Sequence, residues 1–352
     1  MAVRHFLSSL DFESAELAAL VESALTLKHA GRGRGGLISG APDLAGRVLA
    51  LLFFNPSLRT RVSCESAMAR MGGSTCQLSP GRDTWRFEDR PGVVMDGDTQ
   101  EHVAELAPVL ASMCDAVGIR KAELLTQDRA SSASASYADL ARDEFLQAFA
   151  RHSEVPVINL ESNSCHPCQG LADMLTLREL LEEPAGEPFV LSWAWHPKAL
   201  PVATPHSQLL AAADSGMRIT VLAPEGYGLA PDVVRQARER AEALGGSLVE
   251  TQNPEAALKG ARIVCAKSWG RLDAYGQSPE EARPADRLRG AWIIDEAKMA
   301  RTDGARFMHC LPVRRGVVAT SGVLDSPLSA VVQQAENRLW STTALLADRL
   351  GG

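Results

Sequence analysis

Strand-like and helix-like runs alternate along the chain, and this alternation constrains the fold more than any other feature. Short apolar runs with the composition of buried strands are followed by runs in which apolar residues have helical spacing. This pattern is typical of βαβ units stacked around parallel sheets. At 352 residues the chain is long for one core and sufficient for two domains. We therefore predict an α/β fold of two doubly wound, Rossmann-like parallel sheets joined by linking helices.

The predicted elements and boundaries follow from these runs. Strands are predicted at 48–54, 116–119, 155–159, 189–193, 218–223, 262–266, 292–295 and 307–310, and helices at, among others, 62–71, 102–113, 144–151, 171–181 and 232–244. The glycine-rich segment 31–36 and the low-complexity segment 131–136 are predicted to be loops. A helix near 169–183 is predicted to link the two sheets, and a turn at 182–186 to end it.

Composition limits the class of protein. Hydrophobic residues make up 45% of the chain, charged residues 22%, and the net charge is −7. An acidic chain disfavours a broad nucleic-acid or membrane surface, so an anionic substrate would need a local arginine cluster. We see no signal peptide and no apolar run of about 18 residues, and therefore expect a cytoplasmic protein. Seven cysteines, an odd number, suit a reducing compartment.

The segment from Phe53 to Arg61 combines the features of an anion site. A predicted strand turns directly into a predicted helix, whose first-turn N–H groups point outward at the positive end of the helix dipole. Ser57 and Thr60 add hydroxyl donors, and Arg59 adds a guanidinium, as does Arg61. The segment lacks the Gly-x-x-x-x-Gly-Lys pattern of nucleotide P-loops. A phosphate fits such a site; an arginine-flanked helix start on the surface is the alternative.

Three motifs in a fixed order resemble those of the carbamoyltransferase family, whose members move a carbamoyl group from carbamoyl phosphate to an amine. They are Ser-x-Arg-Thr-Arg at 57–61, His-Pro-Cys-Gln at 166–169 and His-Cys-Leu-Pro at 309–312. The similarity runs from about Arg47 to Leu350, and the last motif resembles the ornithine side of the family. The resemblance implies a carbamoyl-phosphate-binding domain at 1–165, an acyl-ornithine-binding domain at 166–333, and a helix at about 334–350 that packs back on the first domain.

The resemblance also assigns a donor site. It implies that carbamoyl phosphate contacts Ser57, Leu58, Arg59, Thr60, Arg120, His166, Gln169, Cys310, Leu311 and Arg338. Independently of the resemblance, Arg120 ends a predicted strand, where open α/β sheets bind ligands. His166 and Gln169 lie three residues apart at a helix start, so they share a face.

The acceptor site differs from that of plain ornithine enzymes, which carry Asp-x-x-x-Ser-Met-Gly. The matching stretch here is Val264 to Gly270, so we interpret Val264 as replacing the carboxylate that binds the free α-ammonium. An ammonium without a counter-charge is costly in a closed site, whereas an acylated nitrogen is neutral. Lys267 supplies a cation for the substrate α-carboxylate. The sequence therefore favours an ornithine whose α-amine is masked.

Within the family, the chain most resembles the N-acetylornithine and N-succinylornithine carbamoyltransferases. This resemblance implies that Glu161, His196, Lys267 and Leu311 contact the acyl-ornithine. It also implies that Trp85 reaches the carbamoyl phosphate site of a neighbouring subunit, and hence a homotrimer with shared active sites in arginine biosynthesis.

The identity of the acyl group stays open at this point. The position that separates the two groups is Glu in acetyl enzymes and Pro in succinyl enzymes, and it is Gln100 here, again contributed by a neighbouring subunit. A glutamate would repel a succinyl carboxylate, and a neutral amide would not. Lys298 resembles a lysine that acetyl enzymes can carry in carboxylated form. Together with the His166 motif this favours acetyl, and Pro201 favours succinyl.

The expected chemistry needs neither a metal nor an organic cofactor, because the carbamoyl phosphate is already activated. Two other classes of function remain. Cys165 and Cys168 form Cys-x-x-Cys, the spacing of a thiol-disulfide oxidoreductase. A catalytically silent binding paralogue is the other, although the intact donor residues argue against it. We expect no nucleic-acid or membrane partner.

Overall fold

The computed structural model describes residues 3–31, 36–122, 136–278 and 280–351. The predicted loops at 31–36 and 131–136 therefore lie largely outside the described residues. The chain divides into two units. Unit 1 consists of Met1–Ala122, Leu140–Cys168 and Arg338–Gly352, and unit 2 of Glu123–Asp139 and Gln169–Asn337.

The strands and helices alternate along most of the chain. The strands are β1 Val48–Phe53, β2 Ser74–Leu78, β3 Phe87–Glu88, β4 Glu101–His102, β5 Ala116–Arg120, β6 Val157–Glu161, β7 Pro188–Trp193, β8 Arg218–Leu222, β9 Ser247–Thr251, β10 Ile263–Lys267 and β11 Arg306–Met308. The α-helices are α1 Ser14–Ala30, α2 Arg59–Arg70, α3 Val103–Met113, α4 Tyr137–Leu140, α5 Glu144–His152, α6 Pro167–Leu181, α7 Ala203–Asp214, α8 Pro231–Ala243, α9 Pro254–Leu258, α10 Glu296–Met299, α11 Ser321–Leu324 and α12 Val331–Leu350.

Unit 1 is built on a four-stranded parallel sheet with the order β2-β1-β5-β6. The chain moves from β1 outward to β2 and then returns to β5 on the opposite side of β1. The order therefore reverses between β1 and β5, and open α/β sheets bind ligands outside the carboxyl ends of the strands at such a point. Leu106 of α3 and Phe149 of α5 belong to the apolar core that contains Leu52 and Ile119, which explains why these strands are continuous apolar runs.

Unit 2 is built on a five-stranded parallel sheet with the order β11-β10-β7-β8-β9. Here the order reverses between β7 and β10. Val190 of β7 and Phe307 of β11 are fully buried in the core of this unit. The carboxyl ends of β7 and β10 therefore mark a second ligand-binding edge.

The predicted α/β class with parallel sheets is confirmed, but one predicted strand is wrong. Residues 292–295 form a turn and a single bridge, in which Ile294 pairs with Ala319. The side chain of Asp295 accepts from the N–H of Lys298 and caps α10, so the extended segment ends before a ladder can form.

Two edge strands, β2 and β9, were missed by the sequence analysis. Both lie at the outside of their sheets and contain polar residues, with sequences Ser-Thr-Cys-Gln-Leu and Ser-Leu-Val-Glu-Thr. An edge strand has a neighbouring strand on one side only, and its other side is exposed to solvent. It therefore needs fewer apolar residues than a central strand does. Their sequences therefore lack the continuous apolar run on which the prediction relied.

Candidate active site

The carboxyl ends of three neighbouring strands in unit 1 carry the predicted donor residues. The segment after β1 leads into α2, Arg120 ends β5 and Glu161 ends β6. Leu58 lies at the N-cap position of α2 and has no polar side-chain atom, so the first-turn N–H groups are not capped by it. Thr60, in that first turn, is buried with 2% of its surface exposed. This edge is built to receive an anion.

A cluster of buried and partly buried side chains joins α2, β5, β6 and α12 in unit 1. The Nη2 atom of Arg338 donates to Thr60 Oγ1 over 3.1 Å, and its Nη1 atom lies 3.4 Å from His166 Nε2. Arg120 forms an ion pair with Glu161, whose Oε2 lies 3.8 Å from the same His166 atom. The structure thus places four predicted residues from distant parts of the sequence around His166. They are Thr60, Arg120, Glu161 and Arg338.

His166 is neutral in this cluster. Burial, followed by the nearby charges of Arg338, Arg120 and Arg59, lowers the pKa of His166 well below its usual value. A guanidinium only donates, so the contact from Arg338 assigns an acceptor role to Nε2 and the ring proton to Nδ1.

The charges of the cluster do not cancel. Three guanidinium groups, those of Arg59, Arg120 and Arg338, are close enough to His166 to lower its pKa, and Glu161 is a carboxylate that forms an ion pair with Arg120. The formal net charge of these four side chains is therefore +2. A dianionic phosphate would balance it.

Arg61 is not part of this cluster, although its motif suggested a second guanidinium for the anion. Its guanidinium bonds Gln77, lies 3.4 Å from Ser79 Oγ, and stacks at 4.2 Å over the Phe53 ring. Arg61 therefore ties α2 to β2 and stabilises the fold.

The turn that delivers His166 is held by a buried carboxylate. Asp143 accepts the backbone N–H of Asn163 over 2.8 Å and that of Ser164 over 3.3 Å, together with the Ser164 hydroxyl. The Asn163 side chain donates back to the Leu140 carbonyl over 3.1 Å. Burial raises the pKa of Asp143, and these donors act in the opposite direction. The backbone between Glu161 and His166 is therefore fixed from both sides.

In unit 2, the ends of β7 and β10 carry two of the predicted acyl-ornithine contacts. Lys267 ends β10, and His196 follows β7. Arg314 Nε donates to His196 Nε2 over 2.9 Å, and His196 Nδ1 lies 3.0 Å from the Lys198 carbonyl oxygen. Since Arg314 only donates, His196 Nε2 is an acceptor, and Nδ1 lies within hydrogen-bond distance of both the Lys198 carbonyl and the Lys198 N–H, the latter over 3.1 Å.

Burial and the nearby Arg314 charge lower the pKa of His196 to about 4, against the effect of its hydrogen bond to Lys198. His196 is therefore neutral near pH 7. The sequence analysis missed Arg314, which follows the His309 motif at a distance of only a few residues. Only its contact with His196 identifies it as part of this site.

The loop after β11 holds Cys310 and Leu311 in a fixed backbone conformation. Leu311 has a φ of 56°, a left-handed conformation that costs an L-residue roughly 1–2 kcal/mol. Its N–H donates to His309 Nδ1 over 2.9 Å, and the His309 N–H donates to Gln334 Oε1 over 2.8 Å. Cys310 is buried between these two anchored residues.

Gln169 is held within α6. Its Nε2 atom donates to Asp173 Oδ1 over 2.8 Å, and Gln334 Nε2 donates to the same oxygen over 2.6 Å. Gln169 and the His309 loop, both predicted from motifs, are therefore linked through one buried carboxylate of unit 2.

Three predicted residues lie apart from these groups. Trp85 is 51% exposed and its Nε1 donates to Glu101 over 2.6 Å, and the N–H of Gln100 donates to the Arg86 carbonyl over 3.0 Å. Lys298 donates through Nζ to the carbonyls of Ala291 and Ile293, each over 2.6 Å. A carboxylated Lys298 would keep one N–H and lose one of these bonds.

One interpretation is corrected by the structure. Val264 lies in the middle of β10, fully buried in the apolar core, so it does not occupy a substrate-facing position. The residue at the end of that strand is Lys267, so a preference for a masked α-amine depends on the positive charge of Lys267.

Cys165 and Cys168 are buried free thiols, and burial raises the pKa of the first to about 12 and of the second to about 11. A reactive redox thiol has a lowered pKa, so the burial of both thiols argues against the oxidoreductase interpretation. Within the described ranges, no helix is long and apolar enough to cross a membrane, and no group of three or more His, Cys, Asp or Glu side chains is arranged for a metal ion.

Two family models match most of the chain. The model described as aspartate/ornithine carbamoyltransferase, carbamoyl-P binding domain, matches residues 4–179. The model described as aspartate/ornithine carbamoyltransferase, Asp/Orn binding domain, matches residues 202–348.

Individual proteins are similar over almost the full length. The N-acetylornithine carbamoyltransferase of Xanthomonas campestris pv. campestris is 40% identical over 357 residues, which cover 100% of this chain and 99% of that protein. The N-succinylornithine carbamoyltransferase of Bacteroides thetaiotaomicron is 36% identical, with 87% of this chain and 88% of that protein covered.

Two solved transcarbamylase structures are also similar to this chain. A crystal structure of acetylornithine transcarbamylase complexed with acetylcitrulline has a TM-score of 0.90 and 39% identity, and covers 99% of this chain and 100% of its own. A Glu→Ala mutant of N-acetyl-L-ornithine transcarbamylase, complexed with carbamyl phosphate and N-succinyl-L-norvaline, has a TM-score of 0.89 with the same identity and coverage.

Proposed function

Since the chain belongs to the aspartate/ornithine carbamoyltransferase family, we propose that it transfers the carbamoyl group of carbamoyl phosphate to the δ-amine of N-acetyl-L-ornithine. The products are N-acetyl-L-citrulline and phosphate, in arginine biosynthesis. The observation that carries the proposal is the cluster of Arg59, Arg120 and Arg338 around a neutral His166 at the ligand-binding edge of unit 1.

Unit 1 is proposed to bind the phosphate. The α2 N-terminus, the Ser57 and Thr60 hydroxyls and the excess positive charge of the cluster together favour a dianion. The carbamoyl-phosphate contacts proposed from the resemblance are Ser57, Leu58, Arg59, Thr60, Arg120, His166, Gln169, Cys310, Leu311 and Arg338.

Unit 2 is proposed to bind the acyl-ornithine. Lys267 and Arg314 offer two cations for the α-carboxylate, and neutral His196 is oriented by Arg314. A free α-ammonium would be repelled by these cations, whereas an N-acyl group carries no charge there. The preference for a masked amine thus follows from Lys267 and Arg314 rather than from Val264. Glu161 and Leu311 remain acyl-ornithine contacts by resemblance.

The reaction requires the neutral δ-amine to attack the carbamoyl carbon. A C–N bond forms as the C–O bond to phosphate breaks, and the amine proton passes to the leaving phosphate. Arg120, His166 and the Thr60 hydroxyl are proposed to stabilise the carbamoyl oxygen as it gains charge. Because His166 accepts at Nε2 from Arg338, its donor to that oxygen would be Nδ1–H. A separate protein base is not required.

N-succinyl-L-ornithine is the alternative acceptor, and Gln100 is the observation in its favour. By resemblance this position is Glu in acetyl enzymes and Pro in succinyl enzymes. A mutant acetyl enzyme that lacks one glutamate has been crystallised with N-succinyl-L-norvaline. A neutral Gln100 would not repel a succinyl carboxylate. The overall similarity still favours acetyl.

The remaining proposals concern assembly and location. We propose a homotrimer in which Trp85 and Gln100 complete a neighbour's site, supported by the resemblance and by the exposure of Trp85. A cytoplasmic location is supported by the presence of seven free thiols. Carboxylation of Lys298 stays a prediction.

The test is a product assay with carbamoyl phosphate and, in parallel, N-acetylornithine, N-succinylornithine and ornithine. N-acetylcitrulline should form with the highest kcat/KM. Equal use of free ornithine would contradict the masked-amine proposal. Absence of any carbamoylated product from a folded protein would contradict carbamoyl transfer.

A further inference from the structure

Glu161 forms an ion pair with Arg120, a residue whose guanidinium the proposed donor site uses for its anion. The two residues are register partners at the carboxyl ends of the neighbouring strands β5 and β6. The side chains of Arg120 and Glu161 are only 16% and 12% exposed, so solvent ions screen the pair weakly. A negative charge of the protein therefore already lies where carbamoyl phosphate is proposed to bind.

The end of β5 is held by main-chain hydrogen bonds on both sides. The N–H of Phe54, which follows β1, donates to the Arg120 carbonyl over 3.0 Å. On the other side, the N–H of Lys121 donates to the Glu161 carbonyl over 2.9 Å. The carboxylate of Glu161 takes no part in these bonds, so its ion pair is not required to hold the strand ends together.

The Glu161 carboxylate opposes the binding of an anion at the unit 1 cluster. Its Oε2 atom lies 3.8 Å from His166 Nε2, the atom that faces Arg338, so the charge lies within the cluster. Like charges at such distances repel each other strongly in a partly buried site. Within the described ranges, the buried Nε of Arg120 has no hydrogen-bond partner, so Glu161 does not satisfy the whole guanidinium. The carboxylate is thus an incomplete substitute for a ligand.

We propose that Glu161 limits the affinity of the donor site, as an internal counter-ion that carbamoyl phosphate displaces from Arg120 and that returns when the phosphate product leaves. The inference rests on the proposed function, in which Arg120 contacts carbamoyl phosphate. It gives Glu161 a role in unit 1 besides the acyl-ornithine contact that the resemblance implies. Substrate and product both carry the dianion, and binding energy common to both does not speed the chemical step. A weaker hold on the dianion therefore favours release of the phosphate.

The experiment measures the dissociation constant of inorganic phosphate by titration calorimetry in wild type and Glu161→Gln, without acceptor and at a mildly alkaline pH. The substitution nearly keeps the shape of the side chain and removes its charge. We expect the variant to bind phosphate at least about tenfold more tightly than wild type. Unchanged or weaker binding would show that Glu161 instead holds Arg120 in place for the anion, and would overturn the proposal.

Asp115→Asn is the matched control for the change in net charge. Asp115 precedes β5, the strand that Arg120 ends, and its carboxylate pairs with Arg47 over 2.7 Å and accepts the Val48 N–H over 2.8 Å. At about 3.3 Å per residue, the length of β5 separates it from the cluster by roughly 15 Å, more than a Debye length at physiological salt. This variant should bind phosphate within about twofold of wild type. Equal tightening in both variants would indicate a general charge effect and overturn the proposal.

Two further variants complete the test. Arg59→Ala should bind phosphate at least about tenfold more weakly than wild type, and unaffected binding would place the phosphate outside the cluster and overturn the proposal. Glu161→Ala also removes the charge, and it should tighten phosphate binding if Glu161→Gln does not fold. Failure of both Glu161 variants to fold while Asp115→Asn folds would show a structural role and overturn the inference. Failure of wild type to bind either phosphate or carbamoyl phosphate would instead refute the proposed function.

Discussion

Arg59→Ala should abolish most activity while leaving the fold intact. The charge of the unit 1 cluster falls from +2 to +1 when this guanidinium is removed, and a bound phosphate dianion then keeps one uncompensated charge. Removing one member of a buried, hydrogen-bonded charge pair costs about 2–5 kcal/mol. At about 1.4 kcal/mol per factor of ten, kcat/KM for carbamoyl phosphate should fall by about 30-fold to 4,000-fold.

Arg61→Ala provides the control for this experiment. Arg61 lies on the same helix two residues further on, and its guanidinium contacts Gln77, Ser79 and the Phe53 ring. It should lose stability and keep kcat/KM within a few-fold of wild type. Steady-state kinetics and thermal unfolding of both variants separate the two effects. If Arg59→Ala retained activity within a few-fold, or if Arg61→Ala lost as much, the assignment of the phosphate to this cluster would be wrong.

Three further outcomes are expected. Mixed trimers of Trp85→Ala and Arg59→Ala chains should recover part of the wild-type activity, since one site can combine both intact residues; verified mixed trimers without recovery would indicate sites built within a single chain. Gln100→Glu should lower kcat/KM for N-succinylornithine at least about tenfold more than for N-acetylornithine, through repulsion of the succinyl carboxylate, and equal losses would contradict that role. Hydrogen bonding from Arg90 lowers the pKa of Glu88 to about 2 from its ordinary 4.5, so its stabilising effect is complete above about pH 4.5 and is lost as the pH falls toward 2. Glu88→Gln should therefore show a smaller fall of Tm between pH 5 and pH 3 than wild type, by about 2–4 °C for each kcal/mol involved; parallel falls would argue against the lowered pKa.

The central strands were predictable from the sequence because burial on both faces leaves a continuous apolar run. The ligand-binding edge of each sheet was predictable in part, because Arg120 and Lys267 lie at the ends of these apolar runs. The edge strand β9 was not predictable in this way, because its polar residues tolerate solvent. The strand predicted at 292–295 was wrong for the opposite reason. The run is apolar, but Asp295 caps the following helix and so ends the extended segment.

The residues of the candidate site were also predictable only in part. Motif order located Arg59, His166 and Gln169, but a motif gives no distances between segments. Arg314 carries no motif signal that separates it from a surface arginine, and only its contact with His196 reveals it. Val264 was misassigned because matching by spacing alone ignores where a strand ends, and burial in the core corrected the assignment.

The two neutral histidines have a consequence for how solvent protons control the reaction. The pKa of His196 is about 4 and that of His166 is well below its ordinary value, so neither changes charge near neutral pH. The δ-amine of the acceptor resembles a lysine, with a pKa of about 10.4, and its reactive free-base fraction grows about tenfold with each pH unit below that value. At low acceptor concentration, the rate of transfer should rise in the same proportion. The pH of the solution therefore sets the concentration of the reactive neutral amine, and the charge of the two histidines does not change with it.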